Sequence, residues 1–237
     1  MRKLYKFKIK IAASYLLKFL KRDFSYRELS KAFNLSIPII SRYVLGYVLP
    51  DLKRAKKILK IGEEKFLRKL IQSKIKFEKD GLLDLSCLLA NVQLQKMIAK
   101  IAFEKFSEEK IDKILTAEAD GIPLAIQIGN EFGVEVWVAK KEKTGSSEDY
   151  IEARMASSPE LVEYFYLPWF ALKKGERVLI VDDFVATGKT IESLIKIVQE
   201  ARGKVVGIFV LVEKGNILNE LKNKFLPFTK TYRILKI

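Results

Sequence analysis

Residues 178–190, VLIVDDFVATGKT, carry the densest chemistry in this chain. Val178, Leu179, Ile180 and Val181, with Phe184 just beyond, surround an acidic pair, Asp182 and Asp183. Ala186, Thr187, Gly188, Lys189 and Thr190 then form a small-residue turn that opens into a run of helical periodicity. An apolar run of this length reads as a buried strand, and the turn after it delivers unpaired backbone N–H groups to a helix N-terminus. Such a turn favours phosphate, because free amides and the positive end of the helix dipole converge there. Carboxylates just ahead of it would repel a phosphate but accept hydroxyl protons. The pairing points to a sugar phosphate, with Asp182 and Asp183 on ribose hydroxyls and the loop on the 5′-phosphate. A nucleotide-triphosphate P-loop is the rival, since Gly188-Lys189-Thr190 matches its last three residues. That motif needs a glycine five positions before Gly188, where Asp183 stands, so the rival is excluded.

The elements that must position these residues alternate in the manner of an α/β fold with a mainly parallel sheet. Helices are expected over 92–106, 122–132 and 191–201. Strands are expected over 111–116, 134–139, 177–182 and 205–212. Ligand sites in such sheets sit at the C-terminal ends of the strands, and the acidic pair falls there. Residues 142–168 do not fit the alternation. Their punctuation at 145–147 (Gly-Ser-Ser) and 157–159 (Ser-Ser-Pro) suggests a mobile hood over the site.

VLIVDDFVATGKT resembles the phosphoribosyl pyrophosphate (PRPP) motif of type I phosphoribosyltransferases. The likeness is strongest to the adenine and xanthine enzymes, and to purine-repressor and archaeal regulator proteins built on the same domain. Residues 116–123, TAEADGIP, resemble the family's pyrophosphate loop, and 136–141, VWVAKK, resemble the strand end that supplies it with a basic residue. The resemblance implies that Ala186, Thr187, Gly188, Lys189 and Thr190 cradle the 5′-phosphate. Ala119, Asp120 and Gly121 would present amides to pyrophosphate, with Lys140 or Lys141 neutralising it. Lys189 departs from the small residue common in the family; it would reinforce phosphate binding or point outward from the helix start. For Lys140 and Lys141 a solvated strand end is the alternative. Mg²⁺ would arrive with PRPP, held through the ligand's phosphates and retaining waters, with Asp182 and Asp183 as further oxygen donors.

Charge is loaded on one end. Residues 1–76 hold 21 Lys+Arg against 5 Asp+Glu, a net of +16; residues 77–237 hold 23 against 24, a net of −1, giving +15 in all. Such loading suggests a polyanion partner whose phosphates supply affinity through counterion release. The absence of histidine removes the usual neutral-pH general base. A single cysteine, Cys87, excludes an intrachain disulfide, and with no histidine a metal-ligand cluster is not expected. No apolar run approaches the roughly 18 residues of a membrane span. The basic N-terminus has lysines through its apolar stretch and no convincing cleavage site, so a cytoplasmic protein is expected.

Within the basic third, residues 8–21 read as a helix with Ile11, Tyr15, Leu16, Phe19 and Leu20 as its apolar stripe. Ser25 caps a short helix over 26–33 with Leu29 in its core, Asn34 makes a turn, and Leu35 packs inward. Ser36 caps a third helix over 37–45, with Pro38 tolerated in the first turn. Gly46 ends that helix, and Pro50-Asp51 starts another. The string SYRELSKAFNLSIPIISRYVLGYVLP resembles the Cro and phage-repressor class of helix-turn-helix domain, in which the third helix enters the major groove. By that resemblance Ser36, Ile37, Pro38, Ser41 and Arg42 lie at the groove, Ile40 is core, and Arg42 suits a guanine edge. Arg27, Lys31 and Lys53 suit phosphates. A purely structural helical cap is the alternative.

The chain thus divides into a helix-turn-helix domain (1–60), a helical linker (61–81) that serves as connector or dimer element, and a phosphoribosyltransferase-like domain (82–237). The expected function is a transcription regulator of purine metabolism that binds double-stranded DNA as a homodimer and senses PRPP or a purine nucleotide. An active adenine- or xanthine-type phosphoribosyltransferase with an accessory basic domain is the alternative.

Overall fold

The computed structural model describes residues 2–77, 83–143, 149–156 and 162–237, which pack as two units, Met1–Ser107 and Glu108–Ile237. The N-terminal unit is helical: α1 (Arg2–Leu20), α2 (Tyr26–Phe33), α3 (Ile37–Val44), α4 (Leu52–Gly62) and α5 (Arg68–Lys74). A short ribbon of β1 (Lys76–Phe77) and β2 (Leu83–Asp84) follows, then α6 (Ser86–Leu89) and α7 (Val92–Phe106). On α1 the buried stripe is Ile9, Ala12, Ala13, Leu16, Leu17 and Leu20. Leu16, Phe19 and Leu20 lie in the core as expected, Tyr15 is half-buried, and Ile11 faces outward. Ile11 sits about 200° around the helix from Ile9 and Ala13, so it cannot share their face. Gly62 lets α4 cross α1 closely, since a Cβ there would stand 2.2 Å from Leu16 Cδ2.

Local sequence explains the short helices. Ser25 accepts from the Glu28 amide at 3.2 Å while the Glu28 carboxylate accepts from the Ser25 amide at 2.7 Å, a reciprocal capping box. Asn34 takes the left-handed conformation that ends α2 (φ 51°), and Gly46 (φ 78°) follows α3. Ser36 occupies the N-cap position of α3 but its hydroxyl makes no cap bond, contrary to expectation. Pro38, two residues on, lacks one of the amides that such a hydroxyl accepts from. Asp51 caps α4 by accepting from the Arg54 amide at 2.9 Å.

The helical linker expected over 61–81 is helical to Lys74 and contains a π turn, Glu63–Leu67, between α4 and α5. The wider i to i+5 spacing of this turn sets Arg68 beside Glu63, at 2.9 Å. Glu63 is 2% exposed and also pairs with Lys105 of α7 at 3.3 Å. The boundary expected between residues 81 and 82 lies outside the described residues. Packing places α7, expected in the C-terminal domain, in the N-terminal unit.

The C-terminal unit is α/β. Its strands β3 (Lys113–Ala117), β4 (Glu135–Ala139), β7 (Arg177–Val185), β8 (Lys204–Glu213) and β9 (Lys230–Lys236) form one parallel sheet in the order β4-β3-β7-β8-β9. Helices α8 (Ile122–Phe132), α9 (Lys189–Glu200) and α10 (Ile217–Phe225) provide crossovers. Residues 150–168 contain an antiparallel ribbon not foreseen from sequence, β5 (Tyr150–Ala156) and β6 (Val162–Pro168). The Gly-Ser and Ser-Pro punctuation expected in a hood, at 145–147 and 157–159, lies outside the described residues. Val178–Val181 are fully buried between the helical layers, and Ile191, Leu194, Ile195 and Val198 of α9 cover one face of the sheet.

Candidate functional site

The strand order reverses direction between β3 and β7. From β3 the chain crosses to β4 on one side, while from β7 it crosses to β8 on the other. Such a switch point opens a crevice at the C-terminal edge of a parallel sheet. Here the register shows it directly. Pairing of β3 with β7 stops at Leu115↔Ile180, whereas β3 stays paired with β4 through Ala117↔Ala139 and β7 with β8 through Val185↔Glu213. The two strands therefore part just before Asp182 and Asp183.

Both carboxylates are held in the crevice wall, Asp182 at 6% and Asp183 at 9% exposure. The Asp183 amide donates to Asp182 Oδ1 at 3.1 Å. Burial, then the charge of Asp183, pushes the Asp182 carboxyl well above its ordinary value, and Asp120 adds to this. Burial also raises Asp183, against hydrogen bonds that lower it. Among the described residues no salt bridge reaches either acid. The pair is thus electrostatically frustrated alone, and hydroxyl donors or a cation would relieve it.

The loop after β3 packs against this pair. Gly121 leads into α8, and a Cβ there would lie 2.6 Å from Thr116 Oγ1 and 3.2 Å from Asp182 Oδ1. Only glycine allows this approach. Ala119 and Asp120 are exposed at the loop's tip, Gly121 is buried, and the Glu118–Ala119 peptide is cis. Glu118 anchors the loop to the end of β4: its amide donates to Ala139 O at 3.0 Å, and its carboxylate accepts from the Lys141 amide. Glu118 was not singled out from sequence, although it stands within TAEADGIP. Lys140 and Lys141 are exposed beyond β4. Lys140 bridges Tyr166 of β6 through paired backbone hydrogen bonds of 3.0 and 2.7 Å, and Lys141 Nζ lies 3.4 Å from Glu163.

After β7 the turn 186–188 precedes α9. Ala186 and Thr187 are exposed, Thr190 is half-buried, and the Lys189 amide reaches Thr187 Oγ1 at 3.5 Å. Gly188 is buried in the left-handed region (φ 76°), backed by α10: a Cβ would sit 2.6 Å from Ile217 Cγ2 and 3.1 Å from Leu221 Cδ1. The turn's first amides are thereby left at the helix start, as an anion cradle requires. Lys189 lines a cleft of about 400 Å³ with Arg154, Met155, Glu192, Ser193 and Lys196, along one face of α9. Among the described residues no cluster of three or more His, Cys, Asp or Glu could hold a metal by itself. A hard cation at Asp182 and Asp183 would need further oxygens from a ligand and water.

In the helical unit, Leu29, Phe33, Ile40 and Tyr43 form the core between α2 and α3, and Leu35 is half-buried. Ser36, Ile37, Pro38 and Arg42 are exposed and Ser41 is half-buried. Arg27, Lys31 and Lys53 are also exposed, and among the described residues none of these three, nor Arg42, is in a salt bridge. No described helix is long and apolar enough to cross a membrane.

Comparison with known proteins agrees with the C-terminal geometry. The model of the phosphoribosyl transferase domain matches residues 85–226, more than half of the chain. A xanthine phosphoribosyltransferase 1 from Clostridium perfringens is 35% identical over 155 residues, covering 63% of this chain and 82% of its own length. A xanthine phosphoribosyltransferase from Leuconostoc mesenteroides is 34% identical over 115 residues, 46% of this chain and 58% of its own. A probable purine biosynthesis transcriptional regulator PurR from Streptococcus pneumoniae is 29% identical over 137 residues, 57% of this chain; the chain spans half of that protein's length. Among solved structures, adenine phosphoribosyltransferase from Rhodothermus marinus superposes with a TM-score of 0.64 at 21% identity, covering 72% of this chain and 98% of its own. On the matched domain and the open crevice at its switch point, this chain belongs to the phosphoribosyl transferase domain family.

Proposed function

We propose that this chain is a DNA-binding transcription regulator that senses PRPP or a purine nucleotide through its phosphoribosyltransferase domain. Asp182 and Asp183 take the ribose hydroxyls. Ala186, Thr187, Gly188, Lys189 and Thr190 surround the 5′-phosphate. Ala119, Asp120 and Gly121 present amides to pyrophosphate, with Lys140 and Lys141 at its edge. The buried, frustrated carboxylate pair supports this reading, since it gains stability from hydroxyl donors or from Mg²⁺ carried in on the ligand's phosphates. Mg²⁺ supplies charge neutralisation there, and Asp182 and Asp183 are the protein oxygens that fit it.

The regulatory half rests on one observation: α3, after a three-residue turn and a capped α2, presents Arg42 outward, and among the described residues Arg27, Lys31, Arg42 and Lys53 are exposed and in no salt bridge. In this reading residues 1–60 read DNA, 61–81 connect, and two copies in the cytoplasm bind two half-sites. A ligand changes DNA affinity only to the extent that it binds the two states of the dimer differently. The xanthine phosphoribosyltransferases among the relatives favour a second reading, an active purine enzyme.

A mobility-shift titration on the gene's own promoter, with and without PRPP and AMP, tests the first reading; the expected result is a ligand-dependent change in affinity. Incubation with PRPP, Mg²⁺ and each nucleobase tests the second. Sustained pyrophosphate release without duplex binding would replace the regulator with the enzyme.

A further inference from the structure

The outward side of α3 is unusually apolar for a surface among cations. Ile37 is 43% and Ile39 36% exposed, Pro38 is exposed between them, and Leu45 is 58% exposed further along. With Ile40 and Tyr43 in the core, Pro38, Ser41, Arg42 and Leu45 follow the i, i+3, i+4, i+7 spacing of the opposite face. Ile37 and Ile39 flank it in the first turn, where no preceding turn covers them. The cations around it suit a polyanion rather than a second copy of this basic unit, whose residues 1–76 carry a net +16 (21 Lys+Arg against 5 Asp+Glu).

In the major groove one base edge alone is apolar, the C5-methyl of thymine. Every other edge presents donors or acceptors that an isoleucine or proline would strand without partners. Resting on the DNA-binding reading above, we propose that the first turn of α3 selects thymine methyl groups through Ile37, Pro38 and Ile39, and that Arg42 fixes a guanine further along the same half-site. Pro38 and Arg42 are four residues apart, about 6 Å along the axis at the helical rise. Against a base-pair rise of about 3.4 Å, the thymines and the guanine stand about two base steps apart in each half-site. Arg27, Lys31 and Lys53 contribute affinity without sequence preference.

The test uses the full chain to enrich duplexes from a library with a randomised central segment. The enriched sites are then remade with deoxyuridine, which lacks the methyl, in place of thymidine. Enrichment of thymines about two base steps from a guanine is expected, with binding weakened about three- to ten-fold per critical methyl removed. Ile37→Ala is expected to narrow the difference between thymine and uracil duplexes, whereas Lys31→Ala weakens both equally and keeps the discrimination. Enriched sites that tolerate uracil without loss overturn the methyl reading and leave DNA binding standing. Failure to enrich any duplex overturns both.

Discussion

Replacing Gly188 by alanine probes most directly the turn proposed to hold phosphate. An L-residue in the left-handed conformation found there (φ 76°) costs about 1–2 kcal/mol. The new methyl would stand 2.6 Å from Ile217 Cγ2 and 3.1 Å from Leu221 Cδ1, an overpacking that typically costs about 1–3 kcal/mol. If the turn keeps its shape, the two terms together come to about 2–5 kcal/mol. For a chain of this size each kcal/mol lowers the melting temperature by about 2–4 °C, so a fall of at least about 4 °C is expected. If the turn relaxes instead, stability is partly recovered while the amides at 187–190 leave the position proposed for the phosphate, and PRPP affinity is expected to fall at least about ten-fold, roughly 1.4 kcal/mol. Calorimetric melting and a PRPP–Mg²⁺ titration on the same variant read both routes. Ile217→Ala in the Gly188→Ala background removes the clashing methyl and leaves the dihedral cost, so the two substitutions should couple by about 0.5–3 kcal/mol. Unchanged melting together with unchanged PRPP binding in Gly188→Ala would refute the reasoning.

Asp182 and Asp183 both have folded-state values above their ordinary one. From the ordinary value near 3.8 up to those raised values the folded chain binds more protons than the unfolded one, so ligand-free stability should fall as pH rises through that window. Asp182→Asn with Asp183→Asn should flatten that pH–melting curve and melt higher at neutral pH while losing PRPP binding; an unaltered curve would contradict the burial argument. Gly121→Ala drives a methyl toward Thr116 Oγ1 and Asp182 Oδ1, so PRPP titration should show lost binding, and wild-type affinity would argue against a shared crevice. Lys105→Met removes one ion-pair partner of the buried Glu63 and leaves its pairing with Arg68 in place, and denaturant unfolding should report a loss of about 1–3 kcal/mol. Removing Arg27, Lys31 or Lys53 should each reduce the slope of duplex affinity against salt by about one; a constant slope would take that residue off the phosphates.

Much of the fold was legible because local rules agreed with tertiary ones. Helices over 26–33, 92–106 and 122–132 have the bounds expected from their caps and periodicity. The run 178–181 had to be a buried strand, since four consecutive apolar residues have no wet face. Elements with weak local signals were missed. The edge strand β9, KTYRILK, lacks a clean alternation, with Lys230 and Thr231 both polar and Ile234 and Leu235 both apolar, and the ribbon β5–β6 is defined by pairing between distant residues rather than by its own pattern. Ile11 was misassigned because the apolar content of α1 nearly encircles the helix, leaving packing to choose the face.

The chemistry of the site divides in the same way. Sequence alone determined that two acids precede a glycine-containing turn, that the positive charge sits in the first third, and that histidine chemistry is absent. The tertiary structure decided that β3 and β7 part after Leu115 and Ile180, that Gly121 abuts Asp182, and that α10 backs Gly188. These are contacts between residues tens of positions apart, set by strand order and close packing, and no local pattern encodes a distance across a sheet.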